Sequence, residues 1–78
     1  MGLAKEERER AARGEGCLGK AHDEEPVFIL RGQDALAADL VEKWAIWARA
    51  AGCPNDKVQE ALDLADTMRR WPTRKNPD

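Results

Sequence analysis

The feature that most constrains the fold is an isolated apolar run at residues 27–30, which follows Pro26 and ends at Arg31. β-Branched and aromatic residues of this kind favour a β-strand, and no second run in the sequence matches it. Because a lone strand leaves backbone donors and acceptors unpaired, it needs a partner strand. We therefore expect this segment to pair with its copy in a second molecule, through Val27, Phe28, Ile29 and Leu30.

The chain has 78 residues, which allows one small domain. Residues 1–25 are expected to be a flexible charged arm or an isolated helix, because Leu3 has almost no apolar neighbour at helical spacing. On the order of 50 residues remain to build a core, and a core that small usually needs disulfides, a metal ion or a partner subunit. Two cysteines do not make a disulfide framework, so self-association is the expected source of stability.

Charge is nearly balanced, with 13 Lys and Arg residues against 15 Asp and Glu residues. This balance does not provide the basic surface that non-specific nucleic-acid binding requires, so nucleic acid is not an expected partner. No apolar stretch approaches the length of a membrane span. We therefore expect a cytoplasmic protein that makes no membrane contact.

Two amphipathic helices are predicted after the strand. The first has Asp34 as its N-cap and is ended by Gly52. The second begins near residue 55 and ends near residue 71, before Pro72. The connection between the two helices is so short that they can only pack antiparallel to each other. The predicted class is therefore α+β and mostly helical, with one strand and an antiparallel two-helix hairpin in residues 26–71 and an extended tail in residues 72–78.

Apolar residues at helical spacing define the expected core face of each helix. In the first helix they are Leu36, Ala37, Leu40, Val41, Trp44, Trp47, Ala48 and Ala51, and in the second they are Val58, Ala61, Leu62, Ala65 and Met68. Apolar residues left outside or at the edge of these faces indicate a contact with another molecule. The predicted oligomer interface therefore combines the strand with helix faces: Val27, Phe28, Ile29, Leu30, Trp44, Ile46, Trp47 and Leu64.

The sequence carries no recognisable catalytic, cofactor or metal-binding motif. It has no serine, and its one histidine, His22, lies in a charged connector without a core to hold it in place. Cys17, His22 and Cys53 lack the paired spacing of zinc ligands. We therefore expect a protein that is not an enzyme and that binds neither a cofactor nor a metal ion.

Four cations surround Trp71 at the end of the second predicted helix. An aromatic plane beside several cations suits a nucleotide base and its phosphates, and it equally suits an acidic protein surface. The alternative is that the cations only complement the negative end of the helix dipole. The turn after the strand is a second candidate site. The predicted ligand-binding or partner-binding residues are therefore Arg31, Gln33, Arg69, Arg70, Trp71, Arg74 and Lys75.

Residues 26–78, from Pro26-Val-Phe-Ile-Leu-Arg-Gly-Gln-Asp34 to Trp71-Pro-Thr-Arg-Lys-Asn-Pro-Asp78, resemble small accessory proteins encoded by bacteriophages and prophages. The resemblance implies a protein that works by binding in the host cytoplasm. Its action would be to sequester a nucleotide-like signal or to block a host defence or regulatory protein. It brings no active site with it. A small DNA-binding or transcription-regulatory protein and a purely structural assembly module are the alternative functions.

Overall fold

A computed structural model describes residues 1–77 of the chain. Within that range it contains four α-helices, which are α1 Ala4–Ala12, α2 Gly16–Lys20, α3 Ala37–Ala50 and α4 Asn55–Arg69. Helix α1 packs on α2, and α3 packs on α4 across the short connection 51–54. The prediction of a mainly helical chain is confirmed. The last residue of the predicted tail, Asp78, lies outside the described residues.

The predicted strand is not formed anywhere in residues 1–77. Residues 26–31 have no regular secondary structure, and the described chain has an isolated bridge between Asp34 and Lys75 in place of a sheet. Phe28 and Ile29 are 83% and 67% exposed. The predicted α+β class, with a strand that joins two copies, is therefore wrong. The composition of a short apolar run does not decide whether it forms a strand, because the strand also needs a partner.

Helix α3 begins later than predicted because Asp34 shapes the turn that precedes it. The Asp34 Oδ1 atom accepts a hydrogen bond from the Leu36 amide at 2.8 Å, and the Asp34 carbonyl accepts one from the Ala37 amide at 3.0 Å. An Asp side chain commonly closes a turn in this way. The first helical residue is consequently Ala37.

The end of α3 is determined by Gly52, as predicted. The Gly52 amide donates to the Arg49 carbonyl at 3.1 Å and the Cys53 amide donates to the Ala48 carbonyl at 3.0 Å. These two bonds form a Schellman motif, which needs a left-handed residue after the helix. Gly52 has a φ of +87° and supplies it.

Replacing Gly52 with alanine is expected to lower the free energy of unfolding by about 1 kcal/mol. A Cβ atom at this position would meet nothing within 4 Å, so the cost comes from the left-handed backbone alone. Urea denaturation followed by circular dichroism measures it. The control is Gly52→Asn, which should cost less because Asn tolerates this conformation. Equal stability of all three proteins would contradict the assignment.

Small side chains form the core between α3 and α4. Its buried residues are Ala37, Ala38, Ala45, Ala48, Val58, Ala61 and Ala65. Helices that meet through alanines approach more closely than helices that meet through large side chains. The predicted inward face of α4 is confirmed, since Leu62 and Met68 are half-buried beside these residues.

The predicted core face of α3 is wrong for its largest side chains. Helix α3 turns its small residues Ala38 and Ala45 towards the core in place of these side chains, which suits a close contact between two helices. The large side chains are about half exposed and lie along another side of the helix. We call this set the apolar row, and it consists of Leu36, Leu40, Trp44 and Trp47.

The N-terminal end of the chain contacts this core. The Met1 side chain packs against the buried residues between α3 and α4, and the Met1 amine pairs with the Glu7 carboxylate at 2.9 Å. The hydrogen bond from that amine lowers the pKa of Glu7 below its ordinary value. The N-terminal arm contains α1 and α2, which pack on each other, so α1 is not the isolated helix that was one of the two expectations. The flexibility of the arm and its boundary at residue 25 stay predictions. Within residues 1–77, no helix is long and apolar enough to cross a membrane.

Candidate functional site

The C-terminal tail folds back onto the turn that precedes α3. The Lys75 amide donates a hydrogen bond to the Gln33 carbonyl at 2.7 Å, and the Ala35 amide donates one to the Lys75 carbonyl at 2.7 Å. These bonds satisfy backbone groups that an isolated tail would leave to water. Two segments that are 40 residues apart in the sequence are thereby held side by side.

Two side-chain contacts support this return of the tail. The Trp71 ring lies against Gly32, where an added Cβ atom would be 3.6 Å from Trp71 Cγ. The Arg74 guanidinium donates a hydrogen bond to the Arg69 carbonyl at 2.8 Å. A cation commonly satisfies the last carbonyls of a helix in this way. The tail is therefore attached through backbone and side-chain contacts together.

A shallow cleft of about 140 Å³ lies between the turn and the tail. Its polar walls combine the side chain of Arg31 with Gln33, Asp34 and Lys75. Within residues 1–77 the Arg31 guanidinium has neither a hydrogen-bond nor an ion-pair partner. We call this depression the tail cleft, and its lining consists of Ile29, Arg31, Gln33, Asp34, Lys75, Asn76 and Pro77.

The other predicted cations have structural contacts away from the tail cleft. The Arg69 guanidinium donates to Asp39 at 3.0 Å and also to Glu42, so it ties α4 to α3. Hydrogen bonding to Glu42 first, and then to Asp39, raises the pKa of Arg69 above its ordinary value. Arg70 pairs with Asp66 one turn earlier in α4, at 2.8 Å.

The predicted ligand-binding residues are therefore divided between two regions. Arg31, Gln33 and Lys75 line the tail cleft, and Trp71 lies against the neighbouring Gly32. Arg69, Arg70 and Arg74 make the ion pairs and the helix-end contact given above. These cations are close together in the sequence, but they do not form one site in the structure. The reason is that consecutive residues at a helix end point in different directions.

The predicted oligomer interface is also divided. Val27, Phe28 and Ile29 are exposed, and Leu30 is half-buried. Of these four residues, Ile29 lines the tail cleft. Trp44 and Trp47 belong to the apolar row, which also contains two leucines that the interface prediction did not include. The signal for these leucines was available in the spacing of 4, 4 and 3 residues from Leu36 to Trp47. Ile46 is exposed on another side of α3, and Leu64 is half-buried.

A second depression lies at the surface where α3 meets the end of α4. It is lined by Asp39, Glu42, Lys43, Ile46 and Arg69. Its acidic groups are already paired with Arg69, and Lys43 lies 5.9 Å from the centre of the Trp47 ring. The charges in this depression therefore neutralise one another locally.

The sulfur and imidazole groups do not gather at either depression. Cys17 and Cys53 are both free and exposed, and His22 is exposed in the connector after α2. In the part of the chain that the structure describes, no three His, Cys, Asp or Glu side chains are grouped so as to hold a metal ion.

Comparison with known proteins does not extend this description. No family model matches the chain, and no match was found among curated proteins or solved structures.

Proposed function

We propose that the chain is a non-enzymatic binding protein that recognises an extended segment of another protein. The contact surface is the tail cleft together with the exposed residues Val27, Phe28 and Ile29. The observation that carries the proposal is that the exposed apolar residue Ile29 lines the same cleft as Arg31 and Lys75. Ile29 directly follows Phe28, the most exposed large apolar residue of the described chain.

The apolar half of this surface favours a protein partner. Val27, Phe28 and Ile29 are consecutive, and each is at least half exposed. A contiguous apolar patch on a small protein usually marks a contact surface. Aromatic anchors such as Phe28 contribute a large share of the binding energy in protein interfaces when they become buried.

The charged residues of this surface indicate which chemical groups the partner carries. Arg31 presents a guanidinium that can hold a carboxylate through two parallel hydrogen bonds, and Lys75 lines the same cleft. The carboxylate of Asp34 is also present, but its Oδ1 atom accepts the Leu36 amide. The partner segment is therefore expected to carry a large apolar side chain and an acidic side chain close together.

A nucleotide ligand has less support from the geometry. The cleft measures about 140 Å³, whereas sites that enclose small molecules usually exceed roughly 300 Å³. Three of the cations expected to hold phosphates are also engaged elsewhere. The role implied by the phage resemblance, interference with a host protein, is compatible with this proposal and stays a prediction.

Selection of peptides from a random library on the immobilised chain tests the proposal. We expect the enriched peptides to combine acidic with large apolar residues. Phe28→Asp should weaken binding of a selected peptide roughly tenfold to a hundredfold, through the lost burial of the ring. Arg31→Gln should weaken it mainly at low salt, because the contact is charged and exposed.

The matched control is Leu18→Asp, which also exchanges an exposed large apolar residue for a carboxylate but lies on α2. It should leave peptide binding unchanged. Equal losses in Phe28→Asp and Leu18→Asp would contradict the assignment of the surface. Calorimetry with a panel of mono-, di- and cyclic nucleotides separates the alternative, since binding that depends on Arg31 without any selected peptide would favour a nucleotide.

A further inference from the structure

The apolar row leaves four large apolar side chains uncovered along one side of α3. Leu36 is 51% exposed, Leu40 46%, Trp44 48% and Trp47 63%. All four lie within twelve residues and share one side of the helix. The tail cleft does not include any of them.

The core between α3 and α4 is small, so covering the apolar row would add to the stability of the chain. The buried residues between α3 and α4 are alanines except for Val58, and alanine contributes little apolar area on burial. A chain of this size rarely reaches useful stability with such a core alone. Covering the leucines and tryptophans would therefore add apolar burial that the core between α3 and α4 does not provide.

We infer that the apolar row of α3 packs against the same row of a second copy, with the two α3 helices antiparallel. The row is nearly symmetric about a point between Val41 and Glu42. An antiparallel copy therefore places Leu36 opposite Trp47 and Leu40 opposite Trp44. Each large ring then meets a smaller side chain, which is the arrangement that allows two helix surfaces to interlock. A two-fold pair repeats every such contact twice.

The charged edge of the row is complementary to itself in the same arrangement. Asp39 and Lys43 lie along one edge, and their midpoint, Val41, is within one residue of the centre of the row. An antiparallel copy brings Asp39 of each chain near Lys43 of the other, and opposite charges across an interface favour the correct register. The Asp39 side chain remains 81% exposed in its ion pair with Arg69, so its carboxylate has room for a second partner.

The area agrees with a modest dimer interface. The exposed parts of the row amount to roughly 400 Å² in each copy, for side chains of this size. Two copies and their charged edges then approach the about 1,200 Å² of the smaller specific interfaces. The surface of this dimer does not include the tail cleft. The test of the dimer is therefore independent of the test of the proposed function.

Sedimentation equilibrium of the full chain and two alanine variants tests the dimer. Leu40→Ala removes a side chain from the row, whereas Ile46→Ala removes a similarly exposed side chain, 54% against 46%, from another side of the same helix. Alanine favours helix in both positions, so neither change should break α3. We expect a dimeric wild type, at least about a tenfold weaker dimer for Leu40→Ala, and no change for Ile46→Ala.

A wild-type chain that stays monomeric at about 100 μM, well above the dissociation constants of most specific dimers, would overturn the inference. Equal effects of the two substitutions would overturn it as well, since the contact would then lie elsewhere. The orientation is tested by a carbodiimide, which joins a carboxylate and an amine in direct contact. The wild type should give a covalent dimer linked through Asp39 and Lys43 that is lost in Lys43→Arg. Retention of that dimer in Lys43→Arg would overturn the antiparallel register.

Discussion

Replacing Ala61 with leucine is expected to lower the free energy of unfolding by about 2–3 kcal/mol, or to prevent folding of the α3–α4 pair. Ala61 and Ala45 are completely buried, and they belong to the same core cluster. The added side chain has no cavity to enter, so the helices must separate to accept it. Their close approach through alanine is what stabilises the pair.

Urea denaturation followed by circular dichroism measures this effect. All proteins are compared at one concentration, because self-association would make stability depend on concentration. The matched control is Gln59→Leu, which adds a leucine to an exposed position of the same helix and should change stability by no more than about 0.5 kcal/mol. A higher denaturation midpoint for Ala61→Leu would mean that the core has unfilled space.

Replacing Lys75 with proline is expected to detach the C-terminal tail and abolish the tail cleft. Proline has no amide hydrogen, so the bond from Lys75 to the Gln33 carbonyl is lost. Proline also restricts the residue before it, and Arg74 is the residue that caps α4. Because the Lys75 amide and carbonyl both bond to the turn at residues 33–35, we expect proline at this position to open the site.

The control is Lys75→Ala, which keeps the amide and therefore both backbone bonds. Binding of a library-selected peptide should fall at least about tenfold further in Lys75→Pro than in Lys75→Ala, on the scale of one lost backbone bond and the contacts that depend on it. Helix content by circular dichroism should stay unchanged in both variants, since α3 and α4 do not include the tail. Equal binding by the two variants would mean that the site does not need the folded-back tail.

The existence of α3 and α4, and the end of α3, were predictable from local patterns. The inward face of α4 follows directly from residues three and four apart, from Val58 to Met68. Gly52 marks the end of α3 because few other residues adopt the backbone that the helix end requires. Such signals depend on neighbours in the sequence and need no knowledge of the rest of the fold.

The candidate site was predictable only in part. Arg31 and Lys75 were singled out by charge, but their meeting depends on a turn and a tail that are 40 residues apart. The tail carries no apolar pattern that would predict its return. Part of its attachment is made by backbone hydrogen bonds between residue 75 and residues 33 and 35, which leave no trace in side-chain composition.

The sequence by itself determined the helical character of residues 37–50 and 55–69, the end of α3 at Gly52 and the inward face of α4. The tertiary structure decided which side of α3 is buried, what becomes of the apolar run at residues 27–30, and where the tail lies. The physical reason is that a local pattern of apolar residues shows which side chains avoid water. Which surface then packs against which other surface depends on the size of those side chains. Alanines admit a second helix at close range, and the larger side chains of Leu40 and Trp47 are therefore left on the surface.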